Sequence, residues 1–177
     1  MALRKVIVKG DPLLHRKSRE VKEITARTRV LVEDMWDTMY EASGVGLAAP
    51  QVGVLRRVAV IDVTEPPEEE GDEDKESAEP APEPEVIKYV LINPEIVEIS
   101  EERVTTKEGC LSVPGFVGEV ERPARVKVRA MDLDGKYFEI EGEGMLAKAI
   151  LHEIDHLEGI LYTDIAESVE EVSNQSE

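Results

Sequence analysis

Two histidines four residues apart are the feature of this sequence that most directly suggests chemistry. His152 and His156 belong to the segment HEIDH and are two of the three histidines in the chain. On a helix, a spacing of four places both imidazoles on one face about 6 Å apart along the axis, a separation that one metal ion can bridge. Glu153 follows the first histidine, and in HExxH motifs this glutamate acts as a general base beside the metal. The plainer alternative is a surface helix with two merely polar histidines.

A catalytic metal site usually combines three protein ligands with an open position for water, so a third ligand is needed. Carboxylates that follow the predicted helix closely could serve, as in a metalloprotease: Asp164, Glu167 and Glu170. Cys110, the single cysteine, is the better candidate, because Gly109 before it lets the backbone approach closely. Taken alone, a single cysteine is more often a small buried apolar residue than a ligand.

Three segments together give the chain a family resemblance. They are GVGLAAPQVG at 44–53, EGCLS at 108–112 and HEIDH at 152–156. In this order and rough spacing they resemble the three signature motifs of peptide deformylase, and the similarity runs from GDPLL at 10–14 to Tyr162, apart from an acidic insert. The resemblance implies hydrolysis of the N-formyl group from the initiator methionine of newly made polypeptides, with release of formate. The implied partners are N-formyl-methionyl nascent peptides, with transient contact to the ribosome.

The resemblance also implies a cofactor and a set of catalytic groups. The cofactor is one divalent metal ion, Fe(2+) in the family, with Zn(2+), Ni(2+) or Co(2+) able to occupy the site. Its ligands would be Cys110, His152 and His156. Glu153 would take the proton of the attacking water and pass it to the leaving amine. The side chain of Gln51 and the backbone N–H of Leu111 would stabilise the negative charge on the formyl oxygen. Without the other motifs, Gln51 would be an ordinary turn residue.

A binding site for the methionine side chain follows from the same resemblance. The apolar positions that match the family's pocket are Val45, Met145 and Ala149. Gly46 and Glu108 resemble positions that hold the substrate backbone and support the adjoining loop. Plain core packing explains Met145 and Ala149 equally well, because both lie on the predicted buried helix face. The stretch 114–121 resembles only one branch of the family, so substrate contacts there have no assignment.

The spacing of apolar residues predicts the elements that must position these side chains. Helical periodicity predicts helices at 25–42 and at about 145–158, with Gly159 as the C-terminal cap of the second. Segment 44–53 contains three glycines and a proline, so we expect no regular element there. The predicted strands lie at 57–63, 89–97 with an interruption at Asn93-Pro94, 103–106, 117–120, 125–131 and 137–140, the last two joined by a turn at Asp134-Gly135. The expected fold is α+β, with mostly antiparallel β-sheets packed around a central helix that carries the HExxH motif.

Length and charge set further limits. A chain of 177 residues predicts a single catalytic domain over 1–177. The net charge of −18 would repel phosphate backbones, so we expect no specific nucleic acid partner. Residues 65–85 hold eleven acidic residues and one lysine, which predicts a disordered acidic insert, and a flexible acidic tail is expected from about 167. Neither an apolar stretch of ~20 residues nor a secretory signal is evident, so we expect no membrane partner and a cytoplasmic location.

Two other classes of function remain compatible with the motifs. A zinc endopeptidase would share HExxH but would use a downstream carboxylate and ignore Cys110. A non-catalytic protein with a structural metal would enclose its ion with four protein ligands. Metal analysis of a Cys110→Ser variant distinguishes these classes from a deformylase, because only the deformylase requires the thiolate for an open catalytic site.

Overall fold

Eight strands make up most of the protein over residues 2–65 and 83–172, which are the residues that the computed structural model describes. In chain order they are β1 (Gly46–Ala48), β2 (Val58–Asp62), β3 (Lys88–Ile99), β4 (Arg103–Cys110), β5 (Val113–Pro123), β6 (Arg125–Met131), β7 (Tyr137–Glu143) and β8 (Ser168–Glu171). One sheet has the order β1-β2-β3-β6-β7 and the other the order β4-β5-β8, with antiparallel pairing throughout the described strands. The expected α+β class with mostly antiparallel sheets is confirmed.

Two long helices flank the larger sheet: α1 (Ala26–Glu41) and α2 (Gly144–Leu157). A short α3 (Tyr162–Ile165) and 3-10 turns at Pro12–His15 and Ala49–Val52 complete the described helical structure. Both long helices begin and end within about a residue of the predicted bounds. Gly159 follows α2 with φ +76°, and a Cβ there would lie 2.6 Å from the His15 carbonyl oxygen, so only glycine fits this helix end.

Strand β2 lies at the centre of the core and is buried on both faces. Successive side chains of a strand point to opposite sides, and here Ala59 and Ile61 pack in the apolar cluster that contains α2. Val58 and Val60 pack in the cluster that contains α1. The two helices therefore cover opposite faces of the larger sheet. α2 carries the HEIDH segment into the interior, and most of its residues from 147 to 157 are buried.

Two expectations about irregular segments were wrong in detail. Segment 44–53 contains the short strand β1 and a 3-10 turn, because the edge of β2 offers hydrogen bonds to residues 46–48. Strand β3 is continuous through Asn93-Pro94, where a register shift takes up the irregularity. The amide of Asn93, at φ +50°, exchanges two 2.8 Å hydrogen bonds with the Val21 backbone, which stabilises this bulge.

The acidic tail also differs from expectation. Instead of a flexible segment from about 167, residues 168–171 form β8 and pair with 116–119 of β5. Gly118 makes this possible, since a Cβ there would lie 2.9 Å from both the Ser168 carbonyl oxygen and the Tyr162 ring. Residues 173–177 and most of the acidic insert expected at 65–85 lie outside the described residues. Among the described helices, none is long and apolar enough to cross a membrane.

Candidate metal centre

Three side chains with metal-binding atoms converge where β4 ends against α2. Cys110 is the last residue of β4, and His152 and His156 lie one turn apart on α2. Cys110 Sγ lies 3.3 Å from His156 Nε2, which lies 3.2 Å from His152 Nε2, and all three atoms are within 4.8 Å of one another. A tetrahedral site with bonds of about 2.0–2.3 Å needs ligand separations of about 3.3–3.6 Å. The cluster therefore has the dimensions for three ligands of one tetrahedral ion.

The protonation pattern of the cluster also fits a cation. His152 Nδ1 lies 2.8 Å from Glu108 Oε1, and because a carboxylate only accepts, Nδ1 carries the proton and a neutral ring turns the lone pair of Nε2 toward the cluster. Burial alone would lower the pKa of His152, yet hydrogen bonds to Cys110 and Glu108 raise that pKa to about 10. The surroundings of His152 thus stabilise positive charge, which a divalent ion supplies as well as a proton does.

A buried ion-pair network lies behind the ligands. Glu108 is 3% exposed, and both of its carboxylate oxygens accept hydrogen bonds from the Arg122 guanidinium, one of them at 2.8 Å. The remaining nitrogen of that guanidinium, Nη1, donates to Asp155 Oδ2 at 2.9 Å. Burial opposes the charge on Glu108, but the hydrogen bonds from Arg122 and His152 outweigh it and lower the pKa of Glu108 to about 2. The side chain of Glu108, expected at the substrate, is thus occupied by Arg122 and His152.

Arg122 is a residue of this site that the sequence motifs did not reveal. Its signal was the alternation along β5, where 118, 120 and 122 are buried and 119 and 121 are exposed. The predicted strand at 117–120 ended too early to include Arg122 in that pattern. Because its partners Glu108 and Asp155 are distant in sequence, the contact itself could not be predicted from local patterns.

Glu153 is a buried carboxylate that lacks a full set of hydrogen bonds. It is 3% exposed, and its Oε2 has no partner among the described residues. Burial raises its pKa to about 7, although the charges of His152 and Arg122 oppose that rise. A Cβ added to Gly46 would lie 2.6 Å from Glu153 Oε1, so the β1 backbone runs directly against the carboxylate. A carboxyl group with this pKa exchanges protons readily near neutral pH.

Gln51 is the buried polar residue that faces the thiol of Cys110. It is 1% exposed, and its Oε1 accepts from the Ala48 N–H at 2.9 Å. Its Nε2 therefore points to the cluster, where it donates to Ser112 Oγ at 3.0 Å and lies 3.5 Å from Cys110 Sγ. Leu111 follows Cys110 in the β4–β5 turn, and no described residue accepts a hydrogen bond from its N–H. Two hydrogen-bond donors thus flank the thiol.

A cavity of about 330 Å³ opens onto these groups, a volume within the range of small ligand pockets. Its described lining is Ser43, Gly44, Val45, Gly46, Gln51, Glu108, Gly109, Cys110, Leu111, Met145, Lys148, Ala149, His152 and Glu153. Val45 and Met145 are 49% and 51% exposed, so neither is an ordinary core residue, whereas Ala149 is buried. A larger groove of about 1120 Å³ lies along the start of α1, but its lining contains no cysteine or histidine.

The carboxylates considered as alternative ligands lie outside the cluster. Asp164 Oδ2 accepts from the Leu161 N–H at the start of α3 and also faces His15, the third histidine, at 3.6 Å. Glu167 is exposed, and Glu170 pairs with Lys107 across the surface. Among the described residues, the group with metal-site geometry consists of Cys110, His152 and His156. This arrangement does not support the endopeptidase alternative.

Comparison with known proteins gives a consistent result. The sequence matches the family described as polypeptide deformylase over residues 3–172. A peptide deformylase of Agathobacter rectalis is 50% identical over 167 residues, covering 94% of this chain and 92% of that protein. The crystal structure of peptide deformylase from Thermotoga maritima has a TM-score of 0.80 at 36% identity and covers 95% of this chain and 100% of that chain. A peptide deformylase from Synechococcus elongatus, in complex with actinonin, has a TM-score of 0.78 at 36% identity, covering 92% and 78% of the two chains.

Proposed function

The chain belongs to the polypeptide deformylase family, and we propose the role that each residue of its site plays in deformylation. The enzyme removes the N-formyl group from the initiator methionine of newly made polypeptides. One observation carries the assignment of roles: a thiol and two imidazole nitrogens converge beside a buried carboxylate that lacks a full set of hydrogen bonds.

Cys110, His152 and His156 hold one divalent ion in this proposal. A thiolate with two imidazoles suits several first-row metals, and the family resemblance favours Fe(2+) over Zn(2+), Ni(2+) or Co(2+). When bound, the ion supplies a Lewis acid that activates water and polarises the formyl carbonyl. The ligand separations of 3.2 and 3.3 Å support this assignment.

Glu153 acts as the general base and then as the general acid. Its carboxylate must be ionised to take a proton from the attacking water, and it returns that proton to the amine when the C–N bond of the formamide breaks. Formate and a free N-terminal methionine are the products. The pKa of about 7 that burial gives Glu153 suits both transfers, because the two protonation states then have similar free energies near neutral pH.

Gln51 and Leu111 stabilise the charge that develops on the formyl oxygen. Attack of water turns the carbonyl oxygen into an oxyanion, which needs donors that are already in place. The amide of Gln51 is held by Ala48 and Ser112, and the N–H of Leu111 lies next in the chain after Cys110. Both donors therefore flank Cys110 without any rearrangement.

The cavity beside the cluster receives the first residue of the substrate. Val45, Met145 and Ala149 would contact the methionine side chain, and the Gly46 backbone would align the peptide so that the formyl group reaches Glu153. Gly46 supports this placement because its Cα lies against the Glu153 carboxylate. Since the substrates are new polypeptides, we place the reaction in the cytoplasm, with transient contact to the ribosome.

A Cys110→Ser variant tests this proposal against its alternatives. We expect loss of both the bound metal and formate release from a formyl-Met peptide, because a serine hydroxyl is a poor replacement for a thiolate ligand. Metal retained with peptidase activity would instead support the endopeptidase. Metal bound by a folded wild-type protein that releases no formate would support a structural metal site.

A further inference from the structure

One guanidinium connects the segments that carry all three proposed ligands. Arg122 lies on β5 and forks onto Glu108, which lies two residues before Cys110 on β4 and also holds His152 through Nδ1. Its third nitrogen bonds Asp155, the neighbour of His156. We propose that Arg122 is a positioning residue, which fixes the distance between the thiol on β4 and the imidazoles on α2. This inference rests on the proposed metal site.

The chemistry of the contact requires an arginine. A planar guanidinium presents donors in fixed directions, and here Nε and Nη2 take the two oxygens of Glu108 while Nη1 takes Asp155. A lysine would restore the charge but would direct one ammonium group at one or two of these acceptors. The fork therefore sets the orientation of the Glu108 carboxylate, and that carboxylate in turn sets the ring of His152.

Burial indicates that this network has a role beyond stability. The side chains of Arg122 and Glu108 are 7% and 2% exposed. Removing two charges from water costs several kcal/mol, and an apolar pair of similar volume often stabilises a fold as well or better. Geometry is what an apolar pair could not supply here, since it would leave Nδ1 of His152 without its acceptor.

The chain contains a matched control on the same helix. Arg57 donates to Glu158 at 2.7 Å, just after the end of α2, and also to the Pro94 carbonyl at 3.0 Å. This pair likewise ties α2 to a distant segment, and its arginine side chain is only 16% exposed. Arg57 contacts neither Glu108 nor Asp155. A purely structural role for Arg122 predicts that variants of the two arginines behave alike.

The test uses cobalt(II) binding to full-length Arg122→Gln, Arg122→Lys and Arg57→Gln proteins, measured by competition with a chromophoric chelator and by the visible absorption bands of the bound ion. For Arg122→Gln we expect a 10- to 100-fold loss of cobalt affinity and shifted bands, as for other residues that orient ligands. Arg122→Lys should recover part of the affinity but not the wild-type spectrum. Arg57→Gln should keep both, even where its melting temperature falls as much.

Wild-type affinity and spectrum in both Arg122 variants would overturn the inference, as would an equal loss of affinity in Arg57→Gln. If Arg122→Gln does not fold, the comparison of Arg122→Lys with Arg57→Gln decides, because Arg122→Lys keeps the buried charge. A wild-type protein that binds no cobalt would overturn the proposed metal site itself, so the two failures are distinguishable.

Discussion

Glu153 is the residue whose replacement separates metal binding from chemistry. Glu153→Gln preserves the size of the side chain but removes the base, so we expect unchanged metal content and a loss of turnover of about 10²- to 10⁴-fold. Metal analysis and formate release on the same preparation measure both effects. Loss of the metal from this variant would mean that the carboxylate is a ligand or a support for the ligands.

The pH dependence of the reaction follows from the same group. Burial raises the pKa of Glu153 from 4.5 to about 7, and a bound cation nearby lowers it again by favouring the anion. Because the anion is the active base, activity is full above this pKa and is lost as the pH falls through it. We expect kcat/KM to fall about tenfold per pH unit on an acidic limb that lies between 4.5 and 7. A flat profile down to pH 4.5 in a folded protein would exclude this assignment.

Gly46 provides an independent test of where that carboxylate lies. In Gly46→Ala the new methyl group would sit 2.6 Å from Glu153 Oε1, too close for any stable contact, so the carboxylate must move. We expect at least a tenfold loss of kcat, since small displacements of a catalytic group are costly. Cobalt affinity, which does not involve Glu153, should stay the same. Unchanged kinetics would show that the carboxylate has room to spare.

At the scale of elements, the parts of the site that lie on one helix were predictable. The spacing of His152 and His156 depends only on helical geometry, and the periodicity of α2 is visible in the sequence. The burial of β2 on both faces likewise follows from its run of apolar residues. Contacts between distant elements were not predictable. β8 is exposed along its whole length and acidic, so its pairing depends on the space that Gly118 leaves on β5.

The acidic insert between β2 and β3 gives a prediction about elements. The flanking residues already pair, because Val63 N–H donates to the Ile87 carbonyl and Ile87 N–H donates to Thr64 Oγ1, both at 2.9 Å. Replacing 65–85 by Asn-Gly, which favours a two-residue hairpin turn, should therefore leave the strands paired. We expect kcat/KM on a small formyl peptide within about twofold of wild type. A folded, metal-loaded variant without activity would show that the insert contributes to the site.

At the scale of the whole molecule, the site depends on two sheets and one helix being held together. The smaller sheet carries the thiol, the larger sheet carries Gly46, and α2 carries the imidazoles and the base. Each sheet and α2 thus contribute groups that the other parts lack. The three sequence motifs mark one contribution from each part, which explains why they identified the site before any contact was known.

The most direct measurement of the central claim is formate release from a formyl-Met peptide by anaerobically purified, Fe(2+)-loaded protein, with Cys110→Ser measured in parallel. We predict that the wild-type protein releases one formate for each free amine that appears, and that Cys110→Ser releases almost none. Absence of formate release from a folded and fully metal-loaded wild-type protein, or undiminished release by Cys110→Ser, would contradict the account.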